Sequence, residues 1–207
     1  MTTYSGPGDR RYGRRADAER NRESVLDHAA RLLYEDPAAG MSEIAAHSKI
    51  GRATLYRHFP TRERLLEAIT ARAIDDVVAA IAASRLDEGT AGEALQRLTA
   101  SLLEVGDRYC FLLVQGIHQA PGEQLHDRDT ERRLREPILS LFERGLRTGE
   151  FTRSLSPVWT TAAFGALCVT AMHEVAIGNI DQAEAGSTVT ATLLHGLLED
   201  RATDREV

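Results

Sequence analysis

Only two cysteines, Cys110 and Cys168, stand in this chain of 207 residues, too few for a disulfide framework at this length. A reducing, cytoplasmic setting is therefore expected. The pair is separated by 58 positions and no Cys-x-x-Cys occurs, so a structural zinc site is not expected. Aromatic residues are scarce at 5%, and Val, Ile and Thr are scattered instead of alternating, which excludes a ladder of strands and favours an all-α fold. Long apolar runs are absent as well. The longest, Ala162 to Met172, runs into His173-Glu174 and reads as a core helix, so no membrane partner is expected. Arg10-Arg11 would suit a twin-arginine export signal, but no apolar stretch follows it.

Enzyme signatures are missing in the same way. There is no G-x-S-x-G, no G-x-G-x-x-G and no phosphate loop ending in Gly-Lys-Ser/Thr. His173-Glu174 would open a zinc-protease pattern, but Ile177 occupies the place of the second His. His118 and His126 are divided by Pro121-Gly122, a poor geometry for two ligands of one ion. Neither a metal nor a cofactor is expected, and the chain does not read as an enzyme.

What is present is an ordinary globular composition, 43% apolar and 27% charged, with enough residues for one large or two small domains. The net charge of −6 is unevenly divided. Residues 1–70 hold 12 basic and 10 acidic side chains, whereas the remainder holds 13 and 21. Arg10, Arg11, Arg14 and Arg15 crowd into six positions near the start. A mildly basic front on an acidic body suits a nucleic-acid-binding head, and a plain arginine-bearing tail is the other reading.

Helical periodicity recurs from Ala16 onward, giving about nine helices. The first spans 16–34, with Val25, Leu26, Ala29, Leu32 and Leu33 on one face, and is broken by Asp36-Pro37. Short helices over 42–47, with Ser42 as N-cap, and 52–59 flank a tight turn at Ser48–Gly51. Thr61 caps a long helix to about Ser84, with Glu63 placed against its dipole. Further helices are predicted near 90–105, 108–119, 128–148, 156–178 and 182–201. Gly149 marks one end, and Ser156-Pro157 marks a start. The domains follow as a flexible basic arm over 1–15, a helix-turn-helix domain over 16–62, a helical body over 63–201 and a tail over 202–207.

Residues 41–67 carry the sharpest signal. Ile44 and the small Ala45 allow a second helix to cross closely, and Leu55 and Phe59 bury the back of that second helix. Its other face offers Arg52, Thr54, Tyr56, Arg57 and His58, side chains able to reach phosphates and base edges in a major groove. The stretch from Gly51 through Thr54-Leu55-Tyr56-Arg57-His58-Phe59-Pro60 to Glu63 resembles the signature of TetR-type repressors, and the likeness covers roughly residues 16–70. Gly145-Leu146-Arg147-Thr148-Gly149-Glu150-Phe151 resembles, more faintly, the connection before the last two helices in that family. One position departs. Where the helix-turn-helix turn commonly has Gly, this chain has Lys49, its only lysine.

The resemblance implies a homodimeric transcriptional repressor on a palindromic double-stranded DNA operator. Its two heads would stand about 34–36 Å apart. Residues 52–58 would be the recognition helix, with Arg52, Thr54 and Arg57 toward bases and Tyr56 and His58 mainly on phosphate. Ser42, Lys49 and Arg62 would also meet phosphate, and Arg14 and Arg15 would enter the minor groove. The last two helices would form the dimer surface through Ala162, Ala163, Ala166, Leu167, Val169 and Thr170, with a leucine face at Leu193, Leu194, Leu197 and Leu198. A pocket in the body would bind a small-molecule effector that releases the operator. Its candidate lining is Tyr109, Phe111, Gln115, His118, Phe142, Trp159, Phe164, Cys168, Met172 and His173, and core packing is the other reading of each. A binding protein with an inactive head and an unrecognised helical enzyme are the alternatives.

Overall fold

The computed structural model describes residues 22–114, 128–152 and 154–197. Among these, eight helices and no strands occur, an all-α fold. They are α1 (22–35), α2 (Met41–His47), α3 (Arg52–His58), α4 (Arg62–Ala83), α5 (Ala91–Val114), α6 (Arg128–Thr148), α7 (Pro157–Ala176) and α8 (Gln182–Leu197). The chain divides into two compact units, Met1–Ile69 and Thr70–Val207. The basic arm and the tail expected at the termini lie outside the described residues.

In the first unit, Val25, Leu26, Ala29, Ala30 and Leu33 of α1 are buried, as are Ile44 and Ala45 of α2, Leu55 of α3 and the adjoining Phe59. Leu65, Leu66 and Ile69 from the start of α4 complete this core. The helix starts differ from expectation at one point. Gly40, not Ser42, precedes α2, and the Glu43 carboxylate accepts the Gly40 N–H at 2.7 Å, so an acidic side chain satisfies a donor at the start that Ser42 was expected to cap. Thr61 does cap α4, its Oγ1 accepting the Arg64 N–H at 3.3 Å. The Glu63 carboxyl is held below its usual range by its own backbone N–H and then by the Thr61 hydroxyl.

The second unit is built around α5. Two helices were expected over 90–105 and 108–119, yet α5 runs unbroken from Ala91 to Val114 through Gly106. That glycine is not a breaker. A Cβ there would overlap the Met172 side chain of α7, so Gly106 is a place of close helix approach. Ala94, Leu95, Leu98, Leu102 and Leu103 of α5 pack with Leu141 and Phe142 of α6, Phe164 and Cys168 of α7, and Ala185, Val189 and Leu193 of α8. Phe142 meets Phe151 and Phe164 at ring-centroid distances of 6.0 and 6.1 Å, the range of favourable aromatic pairs.

The segment Gly145–Phe151 has a physical account. The Gly149 N–H donates to Leu146 O and the Glu150 N–H to Gly145 O, with Gly149 left-handed at φ 75°, a Schellman ending for α6. Phe151 then folds its ring back onto Gly145, where a Cβ would collide with it. Glu150 accepts the Ala91 N–H at 2.6 Å, capping α5 from 59 residues away in sequence. At its own start α5 also has a capping box, with Thr90 N–H on Glu93 and Glu93 N–H on Thr90 Oγ1 at 2.9 and 3.1 Å. The turn between α4 and α5 is held by two arginines. Arg97 donates to the carbonyls of Ser84, Arg85 and Glu88, and Arg144 to those of Leu86 and Gly89.

Candidate nucleic-acid interface

The α2–α3 turn sets the site. After Ser48, Lys49 is left-handed at φ 55°. Its N–H donates to Ala46 O, and the Ile50 N–H donates to Ala45 O, both at 3.2 Å. This is the hydrogen-bond pattern that ends α6 and α7, where glycines 149 and 178 take the same conformation. Lys49 therefore keeps a turn ordinarily made with glycine, at a conformational cost on the order of 1 kcal/mol. The Gly51 carbonyl receives the N–H groups of Thr54 and Leu55 at 2.9 and 3.1 Å, starting α3 at Arg52.

Leu55 is fully buried and Phe59 nearly so, pinning one face of α3 to the core. Arg22 places its guanidinium 5.6 Å from the Phe59 ring centre. The opposite face is open. Arg52 and Arg57 are exposed, Tyr56 is 45% exposed despite its large ring, and Thr54 and His58 are half-buried. Among the described residues, Arg52, Tyr56 and Arg57 make no hydrogen bond or ion pair. An exposed tyrosine between unpaired arginines is a surface with unspent donors, suited to phosphate and base-edge acceptors.

The other predicted contact residues fall differently. Ser42 and Lys49 are exposed. Arg62 is half-buried, its Nε donating to Ala39 O at 3.3 Å and a terminal nitrogen to Pro37 O at 2.6 Å, so it braces the α1–α2 loop. Arg14 and Arg15 lie outside the described residues.

Seven of the ten predicted effector residues have described side chains, and they differ in burial. Phe142, Phe164 and Cys168 are buried in the core, where burial pushes the Cys168 thiol up to about 12. Tyr109 is buried and donates its hydroxyl to Asp76 at 2.6 Å. Met172 and His173 are half-buried, while Trp159 stands 65% exposed on the outside of α7. Gln115 and His118 lie outside the described residues, and nothing is described of the Phe111 side chain. One groove of about 1020 Å³ lies between α5 and α8, and another of about 540 Å³ lies between α4 and α6. None of the ten predicted residues lines either.

On α7, Ala162, Ala166, Val169 and Thr170 are exposed beside Val158 and Trp159, while Ala163 and Leu167 are half-buried. Of the leucine face expected on α8, the two side chains that are described turn the other way. Leu193 is buried in the core and Leu194 packs against it, whereas Ser187, Thr188, Ala191, Thr192 and His195 face outward. Leu198 lies outside the described residues, and nothing is described of the Leu197 side chain. Among the described residues, no helix is long and apolar enough to cross a membrane, and no three His, Cys, Asp or Glu side chains gather to hold a metal ion.

A helix-turn-helix with an open polar face, followed by an all-helical body, defines a class of DNA-binding regulator. Residues 25–69 match the family model described as bacterial regulatory proteins, tetR family. The chain is 35% identical over 94 residues to the HTH-type transcriptional repressor LfrR of Mycolicibacterium smegmatis, a match covering 45% of this chain and 50% of LfrR. It is 29% identical over 150 residues to the nucleoid occlusion factor SlmA of Marinobacter nauticus, covering 70% of this chain and 75% of SlmA. The matched sequence thus spans about half the length of LfrR and three quarters of SlmA. In three dimensions, the crystal structure of LfrR from Mycobacterium smegmatis in complex with proflavine superposes with a TM-score of 0.70 at 25% identity. The alignment covers 87% of this chain and 97% of that one. The regulator PfmR of Thermus thermophilus shares the fold, with a TM-score of 0.70 at 22% identity over 83% and 97% of the two chains.

Proposed function

We propose that this protein is a transcriptional repressor that binds a palindromic operator as a homodimer and is released by a small-molecule effector. The carrying observation is α3, whose buried Leu55 and Phe59 fix its back while Arg52, Tyr56 and Arg57 stand open and unpaired in a segment matching the tetR family model. In this reading Arg52, Thr54 and Arg57 approach base edges, while Tyr56, His58, Ser42 and Lys49 meet phosphate and Arg14 and Arg15 reach the minor groove. Arg62 supports the head by bracing the α1–α2 loop. The outer faces of α7 and α8 supply the dimer contact. The protein acts in the cytoplasm, where its operator is, and as a regulator it needs no catalytic group.

LfrR, the repressor whose structure holds proflavine, supports a small-molecule effector for the helical body here. Helix α4 begins in the unit that carries α3 and continues into the second, so it is the element through which an effector would change operator affinity. The test is a gel shift on the DNA flanking the protein's own gene. Tyr56→Ala combined with Arg57→Ala is expected to weaken binding by about 10- to 1000-fold, with helix content unchanged because both side chains are exposed. Unchanged affinity in the double variant would overturn the assignment of α3.

A further inference from the structure

The body after residue 70 is acidic, with 13 basic side chains against 21 acidic ones, yet four of its arginines line one groove. The groove, of about 540 Å³, lies between the C-terminal half of α4 and α6. Arg85, Arg133, Arg144 and Arg147 line it, with Asp87 the only carboxylate among the lining residues. Its remaining lining is chiefly apolar, including Val78, Ile81, Leu86, Pro137 and Leu141.

The four guanidinium groups are not equally committed. Arg147 makes no hydrogen bond or ion pair among the described residues. Arg85 and Arg133 pair with Glu88 and Asp75 at 3.2 and 3.0 Å, but all four side chains are well exposed, and ion pairs of that kind hold weakly and exchange readily. Arg144 is fixed by the carbonyls of Leu86 and Gly89, and its Nε is a buried donor without an acceptor. Held in this way, Arg144 contributes a fixed positive charge to the groove wall.

We propose that this groove is a binding site for a small amphiphilic organic anion, a carboxylate or phosphate monoester on an aliphatic or aromatic body. The acidic group meets Arg133, Arg147 and the preorganised Arg144, and the apolar portion lies along Val78, Ile81 and Pro137. Guanidinium groups suit such oxyanions because their planar donors engage two oxygens at once. The assignment does not depend on α3 binding DNA, and its test is read without DNA.

Isothermal titration calorimetry of the full chain with octyl phosphate provides the measurement, with inorganic phosphate and octyltrimethylammonium as partners in the comparison. Saturable binding of octyl phosphate is expected, weakening as salt is raised, with inorganic phosphate much weaker and the ammonium compound silent. Arg133→Ala with Arg147→Ala, both exposed and absent from the core, is expected to weaken binding at least tenfold. Ala82→Trp, at an exposed lining position, is expected to abolish it by filling the groove. Arg144 is left intact because it holds the α4–α5 turn. No binding to the parent chain, equal binding of the ammonium compound, or an affinity unmoved by both variants would each overturn the proposal.

Discussion

Lys49 shows how one residue can be placed against its own conformational preference. Its backbone is left-handed at φ 55° and completes the same pair of hydrogen bonds that Gly149 and Gly178 complete elsewhere in the chain. Without a Cβ, glycine adopts this conformation at little steric cost, whereas lysine loses about 1 kcal/mol. Lys49→Gly is therefore expected to stabilise the protein by roughly that amount and raise its Tm by about 2–4 °C. The same change removes a cation from the proposed DNA face, so the gel shift on the operator is expected to weaken while the melting curve improves. A lower Tm would show that the lysine side chain contributes more to folding than its backbone costs. The family resemblance places Arg62 near phosphate, and the fold adds a second use, with its Nε and one terminal nitrogen donating to the carbonyls of Ala39 and Pro37.

At the scale of elements, the connection following α6 joins three functions in seven residues. Gly145 leaves room for the Phe151 ring, Gly149 turns the chain, and Glu150 caps α5. A methyl group on Gly145 has nowhere to go, because Phe151 is buried and packs on Phe142. Gly145→Ala is expected to destabilise the body by about 1–3 kcal/mol, read as a lowered Tm in thermal melts. Gly92→Ala, a helical glycine whose added methyl would meet only the Leu194 side chain at 3.9 Å, serves as the control and is expected to be neutral or slightly stabilising. Helix α5 carries the complementary lesson. The local pattern suggested two helices meeting near Gly106, whereas the glycine serves contact with Met172 inside one long helix. A glycine in a helical pattern has the same local cost whether it ends the helix or admits a neighbour, and only the neighbour distinguishes them.

For the whole molecule, the outer face of α7 matters most. Val158, Trp159 and Val169 are exposed among small residues, Ala162, Ala166 and Thr170, an apolar surface that a monomer rarely presents to water. Sedimentation of the parent chain at micromolar concentration is expected to give a dimer. Val169→Arg, which places a charge in that surface, is expected to shift it to a monomer and to reduce operator binding, because a single head reads too few base pairs. A dimer that survives this change would move the interface to another face. The outward polar set on α8, from Ser187 to His195, would then be the next candidate surface.

Much of this was written in the local order of residues. The all-α class, the α2–turn–α3 unit, Leu55 and Phe59 as the back of α3, the Thr61 cap and the Gly149 ending follow from periodicity and end signals acting over a few positions, and near-neighbour physics is what a sequence displays. Other features depended on partners distant in the chain or on how far a side chain reaches. Helix α2 begins at Met41 with Gly40 as its N-cap, which puts Ser42 inside the helix and lets Glu43 reach back to the Gly40 N–H. Phe142, Phe164 and Cys168 became core, Trp159 went to the outside, and Leu193 turned inward, since which face of a hydrophobic helix is covered depends on the helices packed against it. The gathering of Arg85, Arg133, Arg144 and Arg147 around one groove belongs to the same group. Up to 62 positions separate those residues, and only the packing of α6 beside the end of α4 makes their charges neighbours.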